Sequence, residues 1–180
     1  METDREVMAR VAGQDETAFS VLVERHGGRL LAVARRLLGS RADAEDAVQR
    51  ALLQCYTGAS SYQPQWAVST WLYRILTNVC VDELRRRRPA TDVSTVPVST
   101  PSPAGAISAR VDVGRALQSV PREARVLLAL HYVDGLSHRE LATIRGISVN
   151  TVKSQLARGK AILRETLERG RHGSARRPAR

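Results

Sequence analysis

Six residues near the carboxyl end, Asn150, Lys153, Ser154, Ala157, Arg158 and Lys160, recur at mostly three- and four-residue spacings. On a helix such spacing puts them on one side. They make a basic, hydroxyl-bearing surface with one small methyl. Lys and Arg neutralise phosphates or bond to guanine edges, Ser bonds to either, and an Ala methyl meets a thymine methyl. This is the chemistry of reading a duplex. A second set lies earlier. Five of the seven aromatic residues, Tyr56, Tyr62, Trp66, Trp71 and Tyr73, fall within 18 positions. Beyond them Arg74, Asn78, Val81 and Arg85 share the face opposite an apolar stripe, with Asp82 and Arg86 at its flanks. Rings stack on unpaired bases and an amide reads a base edge. Trp71 and Tyr73 serve equally as anchors of a helical core. Tyr62, in a loop, fits base stacking better.

A third set is acidic: Asp43, Glu45, Asp46 and Gln49 around Val48. The helix dipole accounts for carboxylates in a first turn. It does not account for Asp46 and Gln49 sharing a face beside Val48, which an Arg-rich partner surface would. As metal ligands these carboxylates lack a matching His or a second carboxylate cluster. His26, His131, His138 and His172 have no ligand spacing with Cys55 and Cys80, and no nucleophile–base motif occurs. The expectation is no enzyme, no metal, no cofactor and no small-molecule substrate.

The elements that must position these residues read as helices. Over 136–161, LSHRELATIRGISVNTVKSQLARGKA, Ser137 and Glu140 have capping-box spacing. Gly146 suits a left-handed turn, Ile147 plugs the corner and Ser148 caps the next helix. Leu141 and Ile144 face Val152 and Leu156, and Ala142 is small where the helices cross. The pattern predicts a helix-turn-helix whose second helix enters the major groove; a helical hairpin with a solvated charged face is the plainer alternative. Upstream, a short helix near Arg5–Ala12 precedes a stripe from Phe19 to Leu38 that stops at Gly39. Then come a narrow stripe at Ala44, Ala47, Val48, Ala51, Leu52 and Cys55, and another at Leu72, Ile75, Leu76 and Val79. Val113–Val120 and Arg122–Tyr132 flank Pro121, which suits a helix start. No segment alternates long enough for a strand, so the fold class is all-α.

Residues 89–108 hold four of the seven prolines and one charge, and read as a flexible linker. They separate a first domain, 1–88, from a second, 109–168, and a basic tail, 169–180, too polar to fold alone. The 180-residue chain carries +10, with 26 Arg against two Lys. That excess favours a polyanionic partner, although a GC-rich coding bias also raises Arg and Ala. Cys55 and Cys80 are expected as buried free thiols in a reducing cytosol. No apolar run reaches 18 residues and the first residues are polar, so neither membrane insertion nor a secretory signal is expected.

Three strings carry a family resemblance: DETAFSVLVERHGGRLLAVARRLLGSRADAEDAVQRALL, STWLYRILTNVCVDELRRRRP, and LQSVPREARVLLALHYVDGLSHRELATIRGISVNTVKSQLARGKAILRETL. In this order and around such a linker they resemble an extracytoplasmic-function (ECF) sigma factor of the sigma-70 family. The resemblance implies two small helical domains and a set of roles. Asp43, Asp46, Val48 and Gln49 would bind the clamp helices of core RNA polymerase. Tyr62, Trp71, Arg74, Asn78, Arg85 and Arg86 would melt the −10 element and hold a flipped base, Arg85 and Arg86 on phosphates. Asn150, Lys153, Ser154, Ala157, Arg158 and Lys160 would read the −35 element. It also implies promoter DNA as partner, an anti-sigma factor as regulator, a linker threading toward the polymerase channels, and a cytoplasmic protein. Arg50 stands where the family usually has an acidic residue, and Ala157 where it often has a larger one. The rival reading is a freestanding helix-turn-helix regulator, which would bind a duplex site as a dimer without polymerase.

Overall fold

The computed structural model describes residues 2–86 and 109–174, with the side chains of 109–112, 115 and 170–174 left aside. The expected linker, together with Arg87 and Arg88, lies outside these residues. Those described form eight α-helices, one 3₁₀ turn and no strand: α1 (Asp4–Ala12), α2 (Glu16–Leu38), α3 (Arg41–Thr57), a 3₁₀ turn at Ala59–Ser61, α4 (Val68–Arg86), α5 (Ala109–Gln118), α6 (Arg122–Asp134), α7 (His138–Arg145) and α8 (Val149–Ser174).

Local chemistry places most of the boundaries. Thr3 and Glu6 form a capping box on α1. Asp15 caps α2 by accepting from the Ala18 amide at 3.0 Å. Gly39, at φ +73°, ends α2 in the left-handed conformation an L side chain resists. Pro121 occupies the cap position ahead of α6, its carbonyl accepting from the Arg125 amide at 2.9 Å.

In the first domain α2 packs on α1, α3 and α4. Its core is mainly aliphatic, including Val7, Leu22, Leu30, Val33, Leu37 and Leu76, all 2% exposed or less. Burying such a side chain contributes about 1.5–3 kcal/mol. Small residues on α3, Ala44, Ala47 and Ala51, let its neighbours approach. Cys55 and Cys80 are buried free thiols, and burial pushes both up to about 12. In the second domain α8 packs on α5, α6 and α7. Gly159 makes the α6 contact possible: a Cβ there would stand 2.9 Å from Leu128 Cδ1 and 3.1 Å from Ala124 Cβ.

Two features differ from the sequence expectation. α8 continues to Ser174, so residues 169–174 extend the helix where a disordered tail is expected. An ion pair between Arg169 and Glu165, one turn apart, supports the extension. The domains are also docked: α6 lies against α2, and α7 against α4.

Candidate nucleic-acid interface

The helix-turn-helix is assembled as its residues predict. Ser137 accepts from the Glu140 amide at 3.3 Å, and Glu140 accepts from the Ser137 amide at 2.8 Å. Gly146 turns the chain at φ +64°. Ser148 accepts from the Thr151 amide at 3.0 Å, fixing the first turn of α8. Leu141, Ile144, Val152 and Leu156 are buried between the helices. Asn150, Lys153, Ser154, Ala157, Arg158 and Lys160 are all exposed along one side of α8, with Gly159 buried behind them. Ser154 also donates to the Thr151 carbonyl at 3.0 Å, which holds its hydroxyl near the helix. Lys160 leans back over the Tyr132 ring, 5.2 Å from its centroid, and so sits at the edge of this face.

On α4, Arg74, Asn78, Asp82 and Arg85 form an exposed stripe at helical spacing, with Arg86 beside it. Val81, expected on that face, is 4% exposed and belongs to the core. The physical reason is that α4 is central: α2, α3 and α7 all pack on it, leaving a narrower free side than the sequence suggests. At the start of α4 a cavity of about 270 Å³ is lined by Ser61, Gln63, Trp66, Trp71 and Arg74. Arg74 lies over the Trp66 ring at 5.0 Å. Trp71 is 9% exposed and forms the cavity's inner wall. Tyr62 is half-buried. Its hydroxyl donates to the Trp66 carbonyl at 2.6 Å and its ring meets Trp71 edge-on at 5.5 Å, so it braces the loop that presents Trp66. Trp66, half-buried with Arg74 over its ring, lines the cavity beside Trp71, although no −10 role is expected of it.

On α3, Ser40 caps the helix, and Asp46 and Gln49 project outward. Val48, expected to meet a partner, is 8% exposed and packs inward, because the alanines around it bring the neighbouring helices close. Leu53, one turn beyond Gln49 and outside the apolar stripe, is 63% exposed. That off-stripe leucine is a signal the sequence did carry. Arg50 lies between the two helices, with Nε 3.0 Å from Asp46 and Nη2 3.0 Å from Glu83. Glu83 in turn pairs with Arg86 at 3.0 Å. A cleft of about 450 Å³ between α3 and α4 is lined by Arg50, Gln54, Val79, Asp82, Arg85 and Arg86, three of them cationic. No group of three or more metal-ligating side chains occurs among the described residues.

Two family models match the chain, Sigma-70 region 2 over residues 22–90 and Sigma-70 region 4 over residues 110–163. The ECF RNA polymerase sigma factor SigM of Mycobacterium tuberculosis (strain ATCC 25618 / H37Rv) is 36% identical over 170 residues, spanning 92% of this chain and 85% of that protein. The chain belongs to the ECF sigma factors of the sigma-70 family. The ECF RNA polymerase sigma-E factor of Escherichia coli (strain K12) is 31% identical over 177 residues, spanning 89% of this chain and 92% of that protein. Among solved structures, CnrH in complex with the cytosolic domain of CnrY superposes with a TM-score of 0.73 at 28% identity, covering 93% of this chain and 98% of that one. The sigma factor RpoE of Bartonella quintana, in complex with the anti-sigma factor NepR, gives 0.67 at 25% identity, covering 83% and 96%. Membership makes this sigma factor a transcription-initiation protein, and the region 2 match leaves the freestanding regulator out of favour.

Proposed function

We propose that this chain joins core RNA polymerase, directs it to promoters through residues 109–168, and opens them through residues 1–88. The α8 face carries the proposal: six exposed candidate residues on one side of a helix that Ser148 caps and Gly159 seats against α6. Lys153 and Arg158 would hold phosphates or guanine edges of the −35 element, with Asn150, Ser154, Ala157 and Lys160 completing the contact. In the first domain an unpaired base would enter the cavity walled by Trp66 and Trp71. Arg74 and Asn78 would meet its polar edge, Tyr62 would support the loop, and Arg85 and Arg86 would hold the strand's phosphates. Stacking on aromatic rings offsets an unstacking cost of a few kcal/mol per step. Asp46 and Gln49, with Asp43 at the helix start and Val48 packing behind them, would form the polymerase contact, extended by Leu53.

The chemistry of RNA synthesis then belongs to the polymerase, and this chain acts as a cytoplasmic non-enzymatic subunit. The named complex of the Bartonella quintana relative with an anti-sigma factor supports regulation of this chain by a partner of the same kind. Transcription by purified core polymerase plus this chain, on a randomised promoter library, tests the proposal. Transcripts should start downstream of a shared pair of sequence elements. Binding to core polymerase without sequence-selected starts would refute it.

A further inference from the structure

We infer that Tyr132, on the last turn of α6, is a positioning residue of the duplex contact: its ring holds the Lys160 ammonium ready for the phosphate backbone beside the −35 element. The inference rests on the proposed reading of α8 and deepens it by one residue. Tyr132 is 60% exposed, an aromatic ring that the core does not use. The Lys160 ammonium lies over that ring, 5.2 Å from its centroid. A cation over a ring face is attracted by the ring quadrupole. The ring thus stands where a side chain of the candidate DNA face comes to rest.

Its neighbours make the ring a fixed platform. Tyr132 meets the His131 ring edge-on at 4.8 Å. His131 is held in turn: its Nδ1–H donates to the Leu136 carbonyl at 2.7 Å, and its ring lies 5.3 Å from that of His138 at the start of α7. Leu136 is 7% exposed and belongs to the core. A series of contacts therefore runs from the core through His131 and Tyr132 to Lys160.

A free Lys side chain has many rotamers and loses that freedom when it grips a phosphate. On the ring, much of that ordering is complete before DNA arrives. The ring takes one side of the ammonium, whose remaining N–H donors can still reach phosphate oxygens. The spacing along α8 suits this use. Lys160 follows Lys153 by two turns, about 10 Å along the helix axis. The major groove is about 12 Å wide. With Lys153 among the base edges, Lys160 reaches the wall of the groove, where the phosphates lie.

The test uses the full chain with core polymerase and a fluorescein-labelled duplex carrying the −35 sequence that the randomised promoter library selects. Tyr132→Leu keeps bulk beside His131 and removes the ring face. It should weaken binding about two- to fivefold, with unchanged helical circular dichroism. Its log–log salt slope should stay that of the wild type, because the ammonium is still present. Tyr132→Phe keeps the ring face and should bind as the wild type does. Lys160→Gln should weaken binding and lower the slope by roughly one, and adding Tyr132→Leu to it should cost nothing more. Tyr132→Leu without effect, tighter binding by it, additive losses in the double variant, or Tyr132→Phe as weak as Tyr132→Leu would each overturn the inference. A library that returns no upstream element, or Lys153→Ala and Lys160→Gln that both bind as the wild type does, would overturn the reading of α8 and the inference with it.

Discussion

Gly159→Ala is the most direct probe of how the recognition helix is held. In an exposed helix interior, Gly to Ala stabilises by about 1 kcal/mol. At Gly159 the new methyl would lie 2.9 Å from Leu128 Cδ1, 3.1 Å from Ala124 Cβ and 3.4 Å from Val120 Cγ1. Leu128 is 2% exposed and Ala124 cannot turn away, so neither neighbour yields freely. Overpacking of this kind costs about 1–3 kcal/mol. The balance is a loss of about 1 kcal/mol, with α8 displaced outward and −35 binding weakened. Gly28→Ala supplies the control: it is in the middle of α2 with nothing within 4 Å, and should gain about 1 kcal/mol. Urea unfolding followed by circular dichroism should separate the two variants by about 2 kcal/mol at equal slope. Two variants stabilised alike would refute the close α6–α8 approach.

Asp46→Ala with Gln49→Ala should weaken core-polymerase binding about tenfold while leaving urea stability nearly unchanged, since both side chains are exposed; undiminished binding in a fluorescence titration would remove this surface. Trp66→Ala should reduce promoter opening, read by permanganate reactivity, by about one to two orders of magnitude and spare duplex binding; equal losses in both would count against base stacking. Lys153→Ala should lower the log–log salt slope of −35 binding by roughly one, and an unaltered slope would strike it from the phosphate contacts. The native thiols, buried with pKa values raised to about 12, should resist alkylation at pH 8 until the chain unfolds; prompt labelling of folded protein would contradict their burial.

The helix-turn-helix was legible because each of its devices is local. The Ser137–Glu140 box, the Gly146 turn, the Ser148 cap and the Val152–Leu156 pair all lie within a few residues of what they organise. The misreadings arise where distant chain decides exposure. Val81 looks outward on its own helix and Val48 is expected in a partner contact, yet neighbouring helices close over both. Ala142 reads as the small residue of the α7–α8 crossing; a second close approach, at Gly159 against α6, depends on chain some 30 residues away and is not legible locally. Tyr62 and Trp66 share one loop, and the loop sequence does not say that Tyr62 bonds to the Trp66 carbonyl while Trp66 lines the cavity. Nothing in the sequence singles out Arg125; its burial depends in part on the Leu37 carbonyl, 88 positions away.

The ion ladder running Asp46, Arg50, Glu83, Arg86 ties the fate of two positions together. A lineage that loses the Glu83 carboxylate strands a guanidinium between two helices with one anionic neighbour instead of two. One that restores an acid at position 50 sets it against Glu83. Positions 50 and 83 should therefore drift as a pair through opposite charges or joint neutrality, and a library randomised at both should return that correlation among its survivors.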